Sequence, residues 1–322
     1  METPRVLVLL IVKNEIETIS ECVNSILAQN TPVQVLVSDN LSRDGTYEFL
    51  QSFSSDSENF HLIQPPRECS IPAHFKFLVE SAEKLFPDIP YRILLGGDDS
   101  YSDTSLLQTL LNSIIENKRK EDSDSVIAVP AITLYNCSLP QNSFDVDSIR
   151  FLQSKWPLVR VFGLSITPTQ FGYFNFVLGL METHVFRYWS SILLERHEKE
   201  DFVLDSKRNI LPEYLASYQL LFQSKVIFSP EVRFFKRQHN RNELGERQNN
   251  SLAAANHSKV KLSNWFNAAI HQLNSFTTTL RTAWRYRKQL TLKEFAVLSL
   301  CGILATLSNT SHLIYRLYSR EK

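Results

Sequence analysis

The sequence predicts an open, mostly parallel α/β sheet flanked by helices, with a helical C-terminal extension. Three observations carry this. Val6 to Val12 is an unbroken run of valine, leucine and isoleucine, the pattern of a strand buried on both faces of a parallel sheet. Apolar runs then alternate with stretches whose apolar residues recur at helical spacing, as far as about residue 130. Polar clusters containing Asp, Asn and Gly follow the runs, where such a sheet keeps its ligand site.

The elements follow in order. After the first strand, Ile16, Ile19, Val23, Ile26 and Leu27 mark a helix, and Val33 to Val37 is a second strand ending at Ser38-Asp39. A helix is expected over Thr46 to Phe53, a strand over His61 to Ile63, and a helix over His74 to Leu85. Tyr91 to Leu95 is a further strand closing on Gly96-Gly97-Asp98-Asp99, and Leu106, Leu107, Leu110, Leu111, Ile114 and Ile115 form the next helix face. Val126 to Val129 reads as another strand. From Pro130 to Gln170 the pattern loosens and assigns no regular element. Beyond it a helix is expected over Glu213 to Phe222, with strands at Val226 to Phe228 and near Val232 to Phe235. Gln238 to Lys259 is polar and reads as a loop or linker. Two helices close the chain, one through Trp265, Phe266, Ile270, Leu273 and Phe276, the other over Leu292 to Leu317.

Bulk composition narrows the function classes. Lys plus Arg and Asp plus Glu are 34 each in 322 residues, so net charge points to no nucleic-acid or anionic-lipid partner, and any charged surface must be local. Cys22, Cys69, Cys137 and Cys301 show no C-x-x-C spacing, which argues against a zinc site and a disulfide framework. Val6 to Val12 has no preceding basic region or cleavage site, and no stretch reaches the roughly 18 apolar residues of a membrane span. A cytoplasmic enzyme, at most peripheral at the inner face of a membrane, is the expectation.

Two constellations carry chemistry. One joins Lys13-Asn14-Glu15, after the first strand, to Ser38-Asp39-Asn40-Leu41-Ser42-Arg43-Asp44-Gly45-Thr46, after the second. A carboxylate there accepts hydrogen bonds from a base N–H or a ribose hydroxyl, whereas the same residues on local grounds alone shape a turn. The other is Asp98-Asp99. Adjacent carboxylates at a strand end can hold a hard divalent cation, or simply cap the next helix.

Together with Ser25-Ile26-Leu27-Ala28-Gln29 in the first helix, these motifs resemble the nucleotide-sugar half of the family-two glycosyltransferases with the GT-A fold. The resemblance is strong over residues 5 to about 130 and weaker to about His239. It implies that Asp39 contacts the nucleoside, with Asn14, Glu15, Ser42, Asp44, Gly97, Asp98 and Asp99 around the nucleotide sugar. Gly96 stands where the family's Asp-x-Asp motif has its first aspartate and Asp98 where it has its second, which makes Asp98 the metal ligand for Mn2+ or Mg2+. Asn40 replaces a common aspartate.

The resemblance also organises the second half. Phe176 to Met181 is similar to the segment before the catalytic base, with Gly179 as a close-approach position. Glu213 stands where the family's base is expected, with Asp205 as second choice and Asp201 also considered. His239 matches a histidine that completes the metal sphere, and Arg237 and Arg241 beside it can neutralise a diphosphate. The implied organisation is a catalytic domain over 1–240, divided into a nucleotide-sugar half (1–130) and an acceptor half (131–240), then a loop over 241–260 and the helical extension over 261–322.

What is implied is inverting transfer of a sugar, hexosyltransferase-type, from a nucleoside diphosphate to a hydroxyl of a saccharide or lipid-linked saccharide, as in polysaccharide or lipopolysaccharide assembly. A nucleotidyltransferase would carry a glycine-rich basic loop where this chain has Lys13-Asn14-Glu15-Ile16-Glu17. A non-catalytic sugar-binding or scaffolding homologue is the rival that Gly96 suggests. In the tail, Arg281, Arg285, Arg287 and Lys288 surround Trp284 and Tyr286 before an apolar stretch, a pattern for resting on a membrane surface. The alternative is packing on the chain's own domain or on a second copy in a homodimer.

Overall fold

The computed structural model describes residues 6–120, 125–136, 139–143, 151–166, 178–199, 212–238, 278–285, 287–288 and 290–320. Two compact units emerge: Met1–Phe144, Phe174–Glu200 and Val226–Arg237 make the first, and Asp145–Tyr173, Asp201–Lys225 and Gln238–Lys322 the second.

The first unit is an α/β layer structure, as the sequence implies. Its strands are β1 (Val6–Val12), β2 (Val33–Asp39), β3 (Phe60–Ile63), β4 (Tyr91–Gly96), β5 (Ser100–Tyr101), β6 (Ser125–Asn136), β7 (Leu139–Ser143), β8 (Leu180–Glu182) and β9 (Ser224–Gln238). They form one sheet in the order β3-β2-β1-β4-β8-β6-β9-β5, with β7 paired to β6. The parallel part is β3-β2-β1-β4, and β8 then joins β4 antiparallel. The helices are α1 (Ile19–Leu27), α2 (Thr46–Asp56), α3 (Ile71–Leu85), α4 (Leu106–Lys120) and α6 (Thr183–Lys199).

β1 lies at the middle of the parallel part, and Val6, Leu7, Val8, Leu9 and Leu10 have no exposed surface. Both faces are covered, which is why this strand shows no polar alternation. On α1, Ile19, Cys22, Val23 and Ile26 are buried at the i, i+3, i+4, i+7 spacing of one helix face. Each such burial contributes on the order of 1.5–3 kcal/mol.

Two segments depart from the expected pattern. The strands expected at Val226 to Phe228 and Val232 to Phe235 are one strand, β9. Pro230 between them is exposed, so its missing N–H does not break the strand. α6 was not anticipated, although Val185, Phe186, Trp189, Ile192 and Leu193 are buried along it at helical spacing.

The second unit contains α5 (Pro157–Ile166), α7 (Pro212–Gln223), α8 (Thr278–Arg285) and α9 (Leu292–Arg320). α5 lies in the stretch that the sequence left unassigned, and the helix expected around Trp265 to Phe276 lies outside the described residues. α9 begins with a capping box: the Thr291 amide donates to Glu294 Oε2 (2.8 Å) and the Glu294 amide to Thr291 Oγ1 (3.2 Å). Arg160 is buried at the end of α7, where its guanidinium donates to the carbonyls of Leu221 (2.7 Å) and Phe222 (3.3 Å), and to those of Ser154 (2.8 Å) and Lys155 (3.1 Å). Carbonyls that close a helix carry its partial negative charge and suit a cation. α9 packs on α5 and α8. A Cβ on Gly302 of α9 would lie 2.6 Å from Leu280 Cγ, so a side chain there would force α8 away.

Candidate active site

Strand register assembles the site. Val12 pairs with Asp39 across β1 and β2, and Ile11 pairs with Gly96 across β1 and β4. The three strands therefore end level, and Asn14-Glu15, Asn40 to Thr46 and Gly97-Asp98-Asp99 leave the sheet from one edge. The chain runs outward from β1 through β2 to β3 and then crosses back to β4 on the other side of β1. A reversal of strand order of this kind is the general ligand position of such sheets. β8 runs antiparallel to β4 with Arg92 opposite Met181, so buried Gly179, just before β8, lies toward the same edge.

The first two loops are stitched together by hydrogen bonds. The Asn14 amide donates to Ser42 Oγ (2.8 Å), and Asn14 Oδ1 accepts from the Arg43 amide (2.9 Å). Ser42 donates to Asp39 through its amide (3.0 Å) and, in a short contact, through its hydroxyl. Thr46 Oγ1 donates to Asp44 Oδ1 (2.5 Å) and accepts from the Glu15 amide (2.9 Å), while the Ile16 amide donates to Asp44 Oδ2 (3.1 Å). Burial raises the Asp44 carboxyl, but hydrogen bonds from Thr46 and then Ile16 outweigh it and hold it below the usual carboxylate range. Both oxygens of Asp44 thus serve to fix the loops. Asn14 and Leu41 have positive φ, 55° each. Asparagine tolerates that region and leucine does not, which marks strain at this edge.

Asp39 has no exposed surface. Besides Ser42, its Oδ2 accepts from Gln64 Nε2 (2.8 Å), a residue beyond β3 that sequence reasoning did not single out. A nucleobase meeting Asp39 directly would have to take the place of that amide. Asn40 is also committed: it donates to the Cys69 carbonyl (2.8 Å) and accepts from the Cys69 amide (2.8 Å). An aspartate could not donate to that carbonyl, which gives the asparagine a structural reason. Beneath, buried His74 hydrogen-bonds Ser38 through Nε2 (2.8 Å), and burial pushes its imidazole down to about 4, leaving it neutral at pH 7.

The β4 side of this edge is acidic. Asp99 is almost wholly buried, with Lys236 Nζ 3.7 Å from its Oδ2 and, among the described residues, no hydrogen-bond partner for its Oδ1. Burial pushes its carboxyl up to about 7; Lys236 opposes this and Asp98 adds to it. Glu15 is also pushed up to about 7, by burial first and then by the charge of Asp98, against the hydrogen bond from Thr18. Asp98 lines an open cleft with Glu21, Ser100, Phe235 and Arg237. Glu21 accepts from Ser100 Oγ (3.0 Å) and is ion-paired with Arg237. Lys236 and Arg237 come from β9, far along the chain, and only the sheet brings them here. A Cβ at Gly96 would lie 2.7 Å from Asp98 Oδ1, so the Asp98 carboxylate occupies the space beside the bare glycine.

This donor set suits a hard cation in one respect. Its ligands are carboxylate oxygens whose mutual repulsion already favours binding a positive charge. Among the described residues no three His, Cys, Asp or Glu side chains gather as a complete protein metal site. Mg2+ in phosphate-transfer sites is commonly held by one or two carboxylates together with substrate phosphates, which Asp98 fits.

Eight expected residues, Asn14, Glu15, Asp39, Ser42, Asp44, Gly97, Asp98 and Asp99, thus stand along one edge of the first unit. Glu213 is in the first turn of α7, in the second unit. Asp201, Asp205, His239 and Arg241 lie outside the described residues, as do Phe176 and Val177.

Residues 7–120 match the family described as Glycosyl transferase family 2, which bears out the resemblance over that stretch. No curated protein matches the chain. Among solved structures, the chain is similar to TarS 1-349 of S. aureus in complex with UDP-GlcNAc, at 12% identity and TM-score 0.48, over 94% of this chain and 81% of that one. It is also similar to the mannosyltransferase PcManGT from Pyrobaculum calidifontis in complex with GDP-Man and Mn2+, at 16% identity and TM-score 0.45, again over 94% and 81%.

Proposed function

We propose, from the family-two match over residues 7–120, that the chain is an inverting glycosyltransferase that binds a nucleoside diphosphate sugar at the carboxyl edge of its parallel strands. The observation that carries this reading is the meeting of Asn14-Glu15, the Asp39 to Thr46 loop and Asp98-Asp99 at the level ends of β1, β2 and β4. Asp39, Ser42 and Gln64 border the nucleoside, and Asp98 faces the diphosphate. Charge on the leaving diphosphate is what a divalent cation, Mn2+ or Mg2+, would neutralise when held by Asp98, with His239 as a second ligand. Arg237 is near enough to Asp98 to share that task.

In the reaction the acceptor hydroxyl loses its proton to a carboxylate as its oxygen attacks the anomeric carbon. The bond from that carbon to the diphosphate oxygen breaks on the opposite face, and configuration inverts. Glu213 is the proposed base, with Asp205 second. The acceptor is a saccharide or lipid-linked saccharide, and polysaccharide or lipopolysaccharide assembly is the setting that the family analogy suggests.

The test is donor hydrolysis measured over a panel of nucleotide sugars, with and without Mn2+. Metal-stimulated release of a nucleoside diphosphate from one donor is expected. Nucleotide binding with no hydrolysis or transfer for any donor would favour a non-catalytic sugar-binding homologue instead.

A further inference from the structure

The zero net charge of this chain conceals an uneven split between its units. The first holds 16 Lys and Arg against 25 Asp and Glu, and the second holds 18 against 9. The second unit is therefore the cationic part of the protein and the first the anionic part, and the second unit's surface has two further peculiarities.

One is an uncovered apolar helix face. On α9, Leu298, Cys301 and Ala305 are buried on one side, while Leu300, Ile303, Leu304 and Leu307 are 48%, 49%, 46% and 61% exposed on the other. These four follow the i, i+3, i+4, i+7 spacing of a single stripe. Leu292, at the start of the helix, is 85% exposed. Four such leucine and isoleucine side chains in water are an unfavourable arrangement that needs an occupant.

The other is a pair of exposed tryptophans, each beside a cation. Trp284 is 66% exposed with the Arg287 guanidinium 4.6 Å from its ring centre, and Trp156 is 63% exposed with Lys155 Nζ 5.5 Å from its ring. Trp156 adjoins the part of α5 that meets the buried side of α9, where Cys301 Sγ approaches the Leu158 carbonyl at 3.8 Å. An indole with an adjacent cation suits the headgroup layer, where its apolar body and polar edge are both satisfied and the cation meets lipid phosphate. Among the described residues no helix is long and apolar enough to cross a membrane.

We infer that the second unit docks on an anionic lipid bilayer, with the exposed stripe of α9 lying in the interface and Lys293, with Arg287 and Lys288 just before the helix, against the headgroups. A second copy of the chain would cover the stripe equally well, but two surfaces with this excess of positive charge repel each other, whereas an anionic bilayer satisfies both the stripe and the charge. The inference does not depend on the glycosyltransferase reading.

Flotation of the full chain with vesicles of phosphatidylcholine alone, or with about a third phosphatidylglycerol, tests it. The wild type is expected to float with the anionic vesicles and not the neutral ones, and to be released by high salt. Ile303→Ser combined with Leu307→Ser removes about half the stripe from an exposed face, and at least a roughly tenfold loss of binding is expected with thermal unfolding unchanged. If that variant folds poorly, quenching of wild-type tryptophan fluorescence by brominated phosphatidylglycerol is a second readout, with quenching expected. Absence of flotation and quenching, or equal flotation of a folded variant, overturns the inference. A wild-type dimer by light scattering that the variant disperses, without vesicle binding, also overturns it and assigns the stripe to a second copy.

Discussion

The carboxylate of Asp98 lies against Gly96 so closely that a Cβ there would meet its Oδ1 at 2.7 Å. If Gly96 and Asp98 stand at the two aspartate positions of the family motif, as proposed, the missing first aspartate is linked to the position of the second. Gly96→Asp, which restores the family's residue type, is expected to lower nucleotide affinity about tenfold, because the new side chain displaces Asp98. Gly96→Ala should show most of the same loss. Calorimetric titration with nucleoside diphosphate and Mn2+ measures it, and higher affinity for Gly96→Asp would contradict this view.

Asp98 leaves a strand end beside an open cleft and is no core contact. Asp98→Ala is expected to abolish transfer and metal-dependent nucleotide binding, by about a hundredfold or more, with the unfolding midpoint unchanged. Near-normal turnover in a folded variant would remove Asp98 from the metal site.

The raised carboxyls predict a pH dependence of stability. Burial pushes the carboxyls of Asp99 and Glu15 up to about 7 in the folded protein, above the ordinary values of 3.8 and 4.5. Groups raised in this way contribute stability that is full below about pH 4 and is lost as pH rises through about 7. Asp99→Asn removes one of them and should stabilise the protein at pH 8 relative to pH 5, by a few kcal/mol at most. Urea midpoints of wild type and variant at the two pH values test this. A variant that loses more stability at pH 8 than at pH 5 would mean that the Lys236 pairing outweighs burial.

Glu213 is the proposed base, with Asp205 second, and kinetics can test it. Glu213→Gln keeps the side chain's shape and cannot take a proton, so kcat should fall by at least about a hundredfold while donor affinity is retained. If Asp205→Asn behaves this way and Glu213→Gln does not, the base is Asp205.

In the second unit, Arg160 satisfies four carbonyls from a buried position. Arg160→Met fills similar volume with no donor, and about 3 kcal/mol of destabilisation is expected in urea unfolding. A loss well under 1 kcal/mol would show that water replaces the guanidinium there.

The sequence by itself determined the alternation of β1, α1, β2, α2, β3, α3, β4 and α4, because each element buries a face whose period of apolar residues is local information. It also determined which residues leave the strand ends, since Asp39 and Gly96 close apolar runs. α6 was equally legible in Val185, Trp189 and Ile192, and was missed. Tertiary structure alone decided three other matters. The register between β1, β2 and β4 set the three loops level, and register is a pairing between distant segments. The crossing of β9 brought Lys236 to Asp99 and Arg237 to Glu21, and no local spacing encodes an approach between residues so far apart in the chain. The enclosure of Asp99 and Glu15 raised their carboxyls, an effect of burial and neighbouring charge that the identity of an acidic residue does not carry.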